Sequence, residues 1–248
     1  MNKQTTKLYT TFIAGFLVMH FTGKALMKMP YIFNAGIVFV TVLVTVLLLN
    51  KFVHGKSIKR SLNDIGLGKT NLPGLVPGIF VSAALLCTYP LLGVFLDTNL
   101  TLADGWQWNI IGLMFTAGMA EEILFRGYLF GGLRRNMSFR KAVFISTLCF
   151  ALAHLVMFTY MDWPVALLST LLAVASAIPL AFLFEKGNST AWSPAIVHIA
   201  IRTIGLVVTT DEKHFMLFSM LWILSCMILP YIVLIFFRGF RTIWAKHS

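Results

Sequence analysis

AEEILFRGYLF, residues 120–130, lies inside an apolar run from about 106 to 133, yet it carries Glu121, Glu122 and Arg126. A bilayer core of about 30 Å is crossed by about 20 apolar residues in a helix, and this run is long enough. An ionisable side chain near the midplane costs about 2.5–3.5 kcal/mol even on the mildest insertion scale. Three such groups in one segment need partners inside the protein, and each is a functional candidate.

The rest of the chain agrees with a membrane setting. Only 12% of the 248 residues are charged, about half the share typical of soluble domains. Roughly eight apolar runs are long enough to cross, at about 8–27, 31–50, 73–95, 106–133, 141–160, 165–184, 191–209 and 215–237. The expected fold is therefore all-α, a polytopic integral membrane protein of about eight transmembrane helices forming a single domain over 1–248. The one sizeable polar stretch, HGKSIKRSLNDIGLGKTNLPG at 54–74, is too short for a second domain. The basic start MNKQTTKLYTTFIAGFLVMHF lacks a convincing small-x-small cleavage site and reads as a retained first helix.

Charge placement tests the number of crossings, because Lys and Arg gather in cytoplasmic loops. With the N-terminus inside, fifteen of the twenty basic residues are inside, among them Lys3, Lys7, Lys56, Arg60, Arg134, Arg135, Arg238 and Lys246. The outer loops hold Lys24, Lys28 and Lys213, with five of the nine acids. Both termini are thus expected in the cytoplasm. The net charge of +11 follows from this loop bias, and a nucleic-acid partner is excluded in favour of the lipid bilayer. Cys87, Cys149 and Cys226 lie in apolar segments without a CxxC pair and read as small buried hydrophobes.

Glu121, Glu122, Arg126 and Arg202 are the formal charges left inside expected helices, joined by His154 and His198. In a regular α-helix Glu122 and Arg126 share a face at i,i+4 while Glu121 points about 100° away. Glu122 can be neutralised within its own helix; Glu121 is suited to act as a general base on water. FALAH puts Phe150 and His154 on one face, and HIAIR does the same for His198 and Arg202. Glu121, His154 and His198 all fall near the bilayer centre and could converge. Two imidazoles and a carboxylate make a three-ligand zinc-like site with an open position for water. Without metal, the same groups could serve as base and oxyanion donors. Either way the chemistry is hydrolysis of an amide inside the membrane.

These residues resemble the CAAX-protease and bacteriocin-processing (CPBP, or Abi) family of intramembrane proteases. Its EExxxR motif, continued as FRGxLF, is matched by Glu121, Glu122, Arg126 and FRGYLF. Its FxxxH motif is matched by Phe150 and His154, and its third, a histidine followed four residues later by Asn or Asp, by His198 in STAWSPAIVHIAIR. The resemblance covers about 106–209. It implies a helical fold lining a cavity, with the first glutamate as the water-activating base and a peptide or membrane-associated protein as substrate. It also implies an integral, multi-pass location, here in a membrane of bacterial cytoplasmic type. The departure is Arg202, where the family has Asn or Asp: arginine is a fixed cation with donors only. It disfavours a metal and supports a second reading, a non-catalytic relative that binds peptides in immunity or regulation. A proton-coupled transporter explains the buried charges but predicts an internal repeat, which the sequence lacks.

Plainer roles suffice for other residues. Phe125, Tyr128 and Phe130 read as lipid-facing or packing residues, His20, His54, His214 and His247 as interfacial or solvated, and Trp106, Trp108, Trp163 and Trp192 as interface anchors.

Overall fold

A computed structural model describes residues 3–243; Lys246 and His247 lie outside the described residues. Helix α1 (Lys3–Ala25) and α2 (Tyr31–His54) form an antiparallel pair, followed by the short α3 (Ile58–Asp64) and by α4 (Leu72–Phe95). After strand β1 (Leu100–Leu102), a continuous rod runs from α5 (Trp106–Leu113) through two π-helical stretches, Met114–Glu121 and Ile123–Phe130, into α6 (Gly131–Arg134). Then come α7 (Phe139–His154) with a 3₁₀ extension to Thr159, α8 (Trp163–Lys186), α9 (Trp192–Ile201), β2 (Val208–Thr210), α10 (Glu212–Leu234) and α11 (Arg238–Thr242).

Helix starts follow local chemistry. The Asn71 side chain accepts from the Gly74 amide at 2.7 Å at the head of α4, and Asp211 accepts from the His214 amide at 3.0 Å at the head of α10. Both satisfy amides that have no partner within the helix. α2 ends at Gly55, in the left-handed conformation that closes many helices.

The rod is the axis of the molecule. All eight residues of Ile123–Phe130 are buried, and α1, α2, α7, α8 and α9 pack around the rod. Phe125, Tyr128 and Phe130 are therefore core residues and do not face lipid. Gly127 is fixed by a close approach: a Cβ there would lie 2.0 Å from the Ile65 carbonyl oxygen, in the segment after α3. Large apolar side chains on the outer helix faces, such as Phe80, Val94, Phe144 and Phe236, are exposed, as a lipid-facing surface requires.

Five helices are long and apolar enough to cross a membrane: α2, α4, α7 with its extension, α8 and α10. Of the other three expected crossings, the first is the continuous 23-residue helix α1, and two differ from a simple span. The rod is π-wound through its centre, although the expected i,i+4 pair of Glu122 and Arg126 still forms there. The run at 191–209 stops as a helix at Ile201, ten residues in, and returns as a strand. β2 pairs antiparallel with β1, Leu100 opposite Thr210 and Leu102 opposite Val208. The reason lies in Thr203 and Gly205. Gly205 turns at φ +72°, a value glycine adopts without steric cost. The Trp222 indole donates to the Ile201 carbonyl at 3.1 Å, and the Tyr89 and Thr203 hydroxyls pair at 2.8 Å. Irregular backbone at this depth is tolerated because protein groups satisfy it. A further correction concerns the thiols: Cys226 is buried, Cys149 partly so, and Cys87 is exposed.

Candidate active site

The polar centre forms where α9 and α7 meet the rod. Glu122 is fully buried, and its Oε1 accepts from Arg126 Nη1 at 3.0 Å and from His198 Nδ1 at 2.7 Å. Arg126 is nearly as buried, with its guanidinium 4.6 Å from the centroid of the Phe150 ring, a cation–π contact that replaces part of the lost hydration. Phe150 in turn meets Phe125 at 4.4 Å between centroids, and His154 at 4.5 Å with the rings nearly perpendicular. Glu122 Oε2 and Arg126 Nη2 have no protein partner among the described residues, so the centre retains unused hydrogen-bonding capacity.

Glu121 points elsewhere. Its side chain is 24% exposed and its Oε2 lies 3.8 Å from His198 Nε2, too long for a hydrogen bond but close enough for a shared reactant. The His154 Nδ1 lies 2.9 Å from the Phe150 carbonyl oxygen. Both imidazoles are thus held by Nδ1 against acceptors, which puts the proton on that nitrogen. Each Nε2 then carries a lone pair in the neutral ring and a donor N–H in the imidazolium.

Glu121, Glu122, Arg126 and His198 are brought together, with Phe150 linking Arg126 to His154. His154 makes no ion pair with either carboxylate among the described residues. Arg202 caps α9, its amide donating to the His198 and Ile199 carbonyls at 3.2 and 3.0 Å. Its side chain is exposed and makes no ion pair with Glu121 among the described residues. Tyr160, in the loop after α7, feels it: burial raises this phenol, Arg202 lowers it, and Glu121 raises it.

For a divalent ion the donor types suit: each imidazole offers Nε2 while Nδ1 is oriented by a carboxylate or a carbonyl. The arrangement does not. No group of three His, Cys, Asp or Glu side chains among the described residues is placed to hold a metal.

Sequence reasoning overlooked the bond between His54 and Tyr128. Tyr128 OH lies 3.0 Å from His54 Nε2, and Thr11 Oγ1 lies 3.3 Å from the same nitrogen. No spacing in the sequence marks this contact between α1, α2 and the rod.

A bundle of membrane helices around a buried Glu–Arg–His cluster, with a second, partly exposed carboxylate beside it, defines a helical membrane protein with a polar centre. Residues 103–204 match the model of the family described as type II CAAX prenyl endopeptidase Rce1-like. The match spans the whole cluster from Glu121 to Arg202, so this core is similar to the family that its motifs resemble. At the level of the family, this supports a protease-type function in a membrane. No curated protein matches the chain.

Proposed function

We propose that the chain is an intramembrane endopeptidase that hydrolyses a peptide bond near a hydrophobic or lipidated terminus of a peptide or membrane-associated protein. The observation that carries this reading is the pairing of a partly exposed carboxylate with an oriented imidazole, Glu121 Oε2 at 3.8 Å from His198 Nε2. Glu121 takes a proton from water as the water oxygen attacks the scissile carbonyl carbon. The imidazolium N–H of His198 or His154 stabilises the oxyanion that develops. When the C–N bond breaks, the protonated Glu121 returns its proton to the departing amine. Glu122 holds His198 by Nδ1, Arg126 holds Glu122, and Phe150 holds Arg126; these are positioning residues. No step of this reading is routed through a metal.

The test is cleavage of peptides with apolar or prenylated C-termini by the full chain in proteoliposomes, read by mass spectrometry. A general base contributes about 10²–10⁴ in rate, so Glu121→Gln should lower cleavage at least a hundredfold with the fold retained. The non-catalytic reading rests on Arg202 in place of Asn or Asp. It requires the wild-type chain to bind such peptides in this assay without cleaving them.

A further inference from the structure

At the face of the molecule that carries the start of α1, the end of α2 and the end of the rod, a cavity of about 560 Å³ opens among α1, α2, α3 and α6. Its lining includes Lys7, Lys56, Arg60 and Arg135, with Asp64 and Tyr128. The one carboxylate is divided between two cations: Lys56 Nζ lies 2.7 Å from Asp64 Oδ2, and Arg135 Nη1 lies 3.1 Å from Oδ1. Lys7 donates to the neutral Val53 carbonyl at 2.7 Å. Arg60 has no ion-pair partner among the described residues. Four cations against one carboxylate leave an excess of about three positive charges facing a single concavity.

Loop lysines and arginines that only set membrane orientation need not face one another. These four come from three separate stretches of chain and line one space, at a cost in mutual repulsion that an anion removes. The volume lies within the range of about 300–1,000 Å³ typical of small-ligand sites and is large for a bare ion. We infer that this cavity binds a phosphate-bearing anion, the chemistry shared by the headgroup of an anionic phospholipid and a free phosphate. Basic pockets among membrane helices take up such headgroups. Lys7, Arg60 and Arg135 supply the charge, and Tyr128, held by His54, supplies a neutral hydroxyl.

The experiment titrates the full chain in neutral detergent with short-chain phosphatidylglycerol, short-chain phosphatidylcholine and inorganic phosphate, and reads the thermal unfolding midpoint. It is repeated for Lys7→Gln/Arg60→Gln and for Lys213→Gln, a basic residue in α10 outside the cavity. Neither Lys7 nor Arg60 partners Asp64, so the double variant leaves the Asp64 pairs in place; size-exclusion elution checks its fold. Saturable stabilisation by phosphatidylglycerol, weakened at least about tenfold in the double variant and unchanged in Lys213→Gln, is the expected result and identifies a lipid. Stabilisation by inorganic phosphate equal to that by phosphatidylglycerol, and lost in the same variant, supports the site with a soluble ligand. No difference among the three additives, or equal weakening in Lys213→Gln and the double variant, overturns it.

Discussion

His198 Nδ1 stands 2.7 Å from Glu122 Oε1, so it is the second glutamate of the pair, not the first, that sets the orientation of the histidine. Glu122 thus joins three residues: Arg126 one turn on, His198 on another helix, and through Arg126 the Phe150 ring. Its carboxylate is fully buried, and its removal would leave the Arg126 cation without its counter-charge. Breaking one partner of a buried ion pair costs about 3–5 kcal/mol. Glu122→Gln should therefore lower the thermal unfolding midpoint well below that of Glu121→Gln, in addition to slowing cleavage. Comparing the two melting curves in one detergent checks this; equal midpoints would remove Glu122 from its structural role.

Arg202 is exposed and lacks an ion-pair partner among the described residues. Surface substitutions away from special features change stability by at most about 0.5 kcal/mol. Arg202→Asn, which restores the residue type of the motif, should leave unfolding unaltered and cleavage intact. A loss of cleavage above tenfold would show that the guanidinium contacts substrate.

How much of this centre could be read from sequence depends on which contact is asked for. The Glu122–Arg126 pair is a local spacing, and local spacings survive even the wider π winding. The partner of His198 is not local: it depends on how α9 is rotated against the rod. In a uniformly apolar stretch, i→i+5 bonding leaves no periodicity that distinguishes it from i→i+4, so the winding of 114–130 was invisible. The end of α9 was hidden for a related reason. Ile204, Leu206, Val207 and Val208 continue the apolar run, and only the partners of Thr203 and Ile201, far along the chain, reveal that the helix has stopped.

Gly127 offers a test of packing without touching the chemistry. A methyl group there would meet backbone, the Ile65 carbonyl, which cannot rotate aside as a side chain can. Overpacking of this kind costs about 1–3 kcal/mol. Gly127→Ala should lower the unfolding midpoint and the yield of monodisperse protein, while the activity of the folded fraction stays near that of the wild type.

Asp211, at the head of α10 and outside the membrane helices, makes part of the stability of the β1–β2 end depend on pH. Its carboxylate accepts from the Thr98 hydroxyl at 2.5 Å and from the His214 amide. The Thr98 bond, the largest influence, holds it below its ordinary value of 3.8. A carboxyl group depressed in the folded state stabilises the fold fully above its unfolded value, and that contribution fades as pH falls through the folded value. Hydrogen exchange at the head of α10 should therefore accelerate only below about pH 4. Asp211→Asn should remove this dependence, and an unchanged acid profile in that variant would show that Asp211 is not its source.

Metal dependence separates the two ways in which Glu121, His154 and His198 can promote hydrolysis. A three-ligand centre needs all three side chains within direct bonding distance of one ion, about 2.0–2.2 Å for nitrogen and oxygen. Here the Nε2 of His198 is near Glu121, while His154 makes no ion pair with that carboxylate among the described residues. Cleavage should therefore survive prolonged treatment with a strong chelator, to within about twofold, and His154→Ala should slow it without changing the metal content of the purified protein. Loss of activity on chelation, restored by a single stoichiometric equivalent of zinc, would require His154 to swing towards Glu121 and would replace the carboxylate-base mechanism with a metal-bound hydroxide.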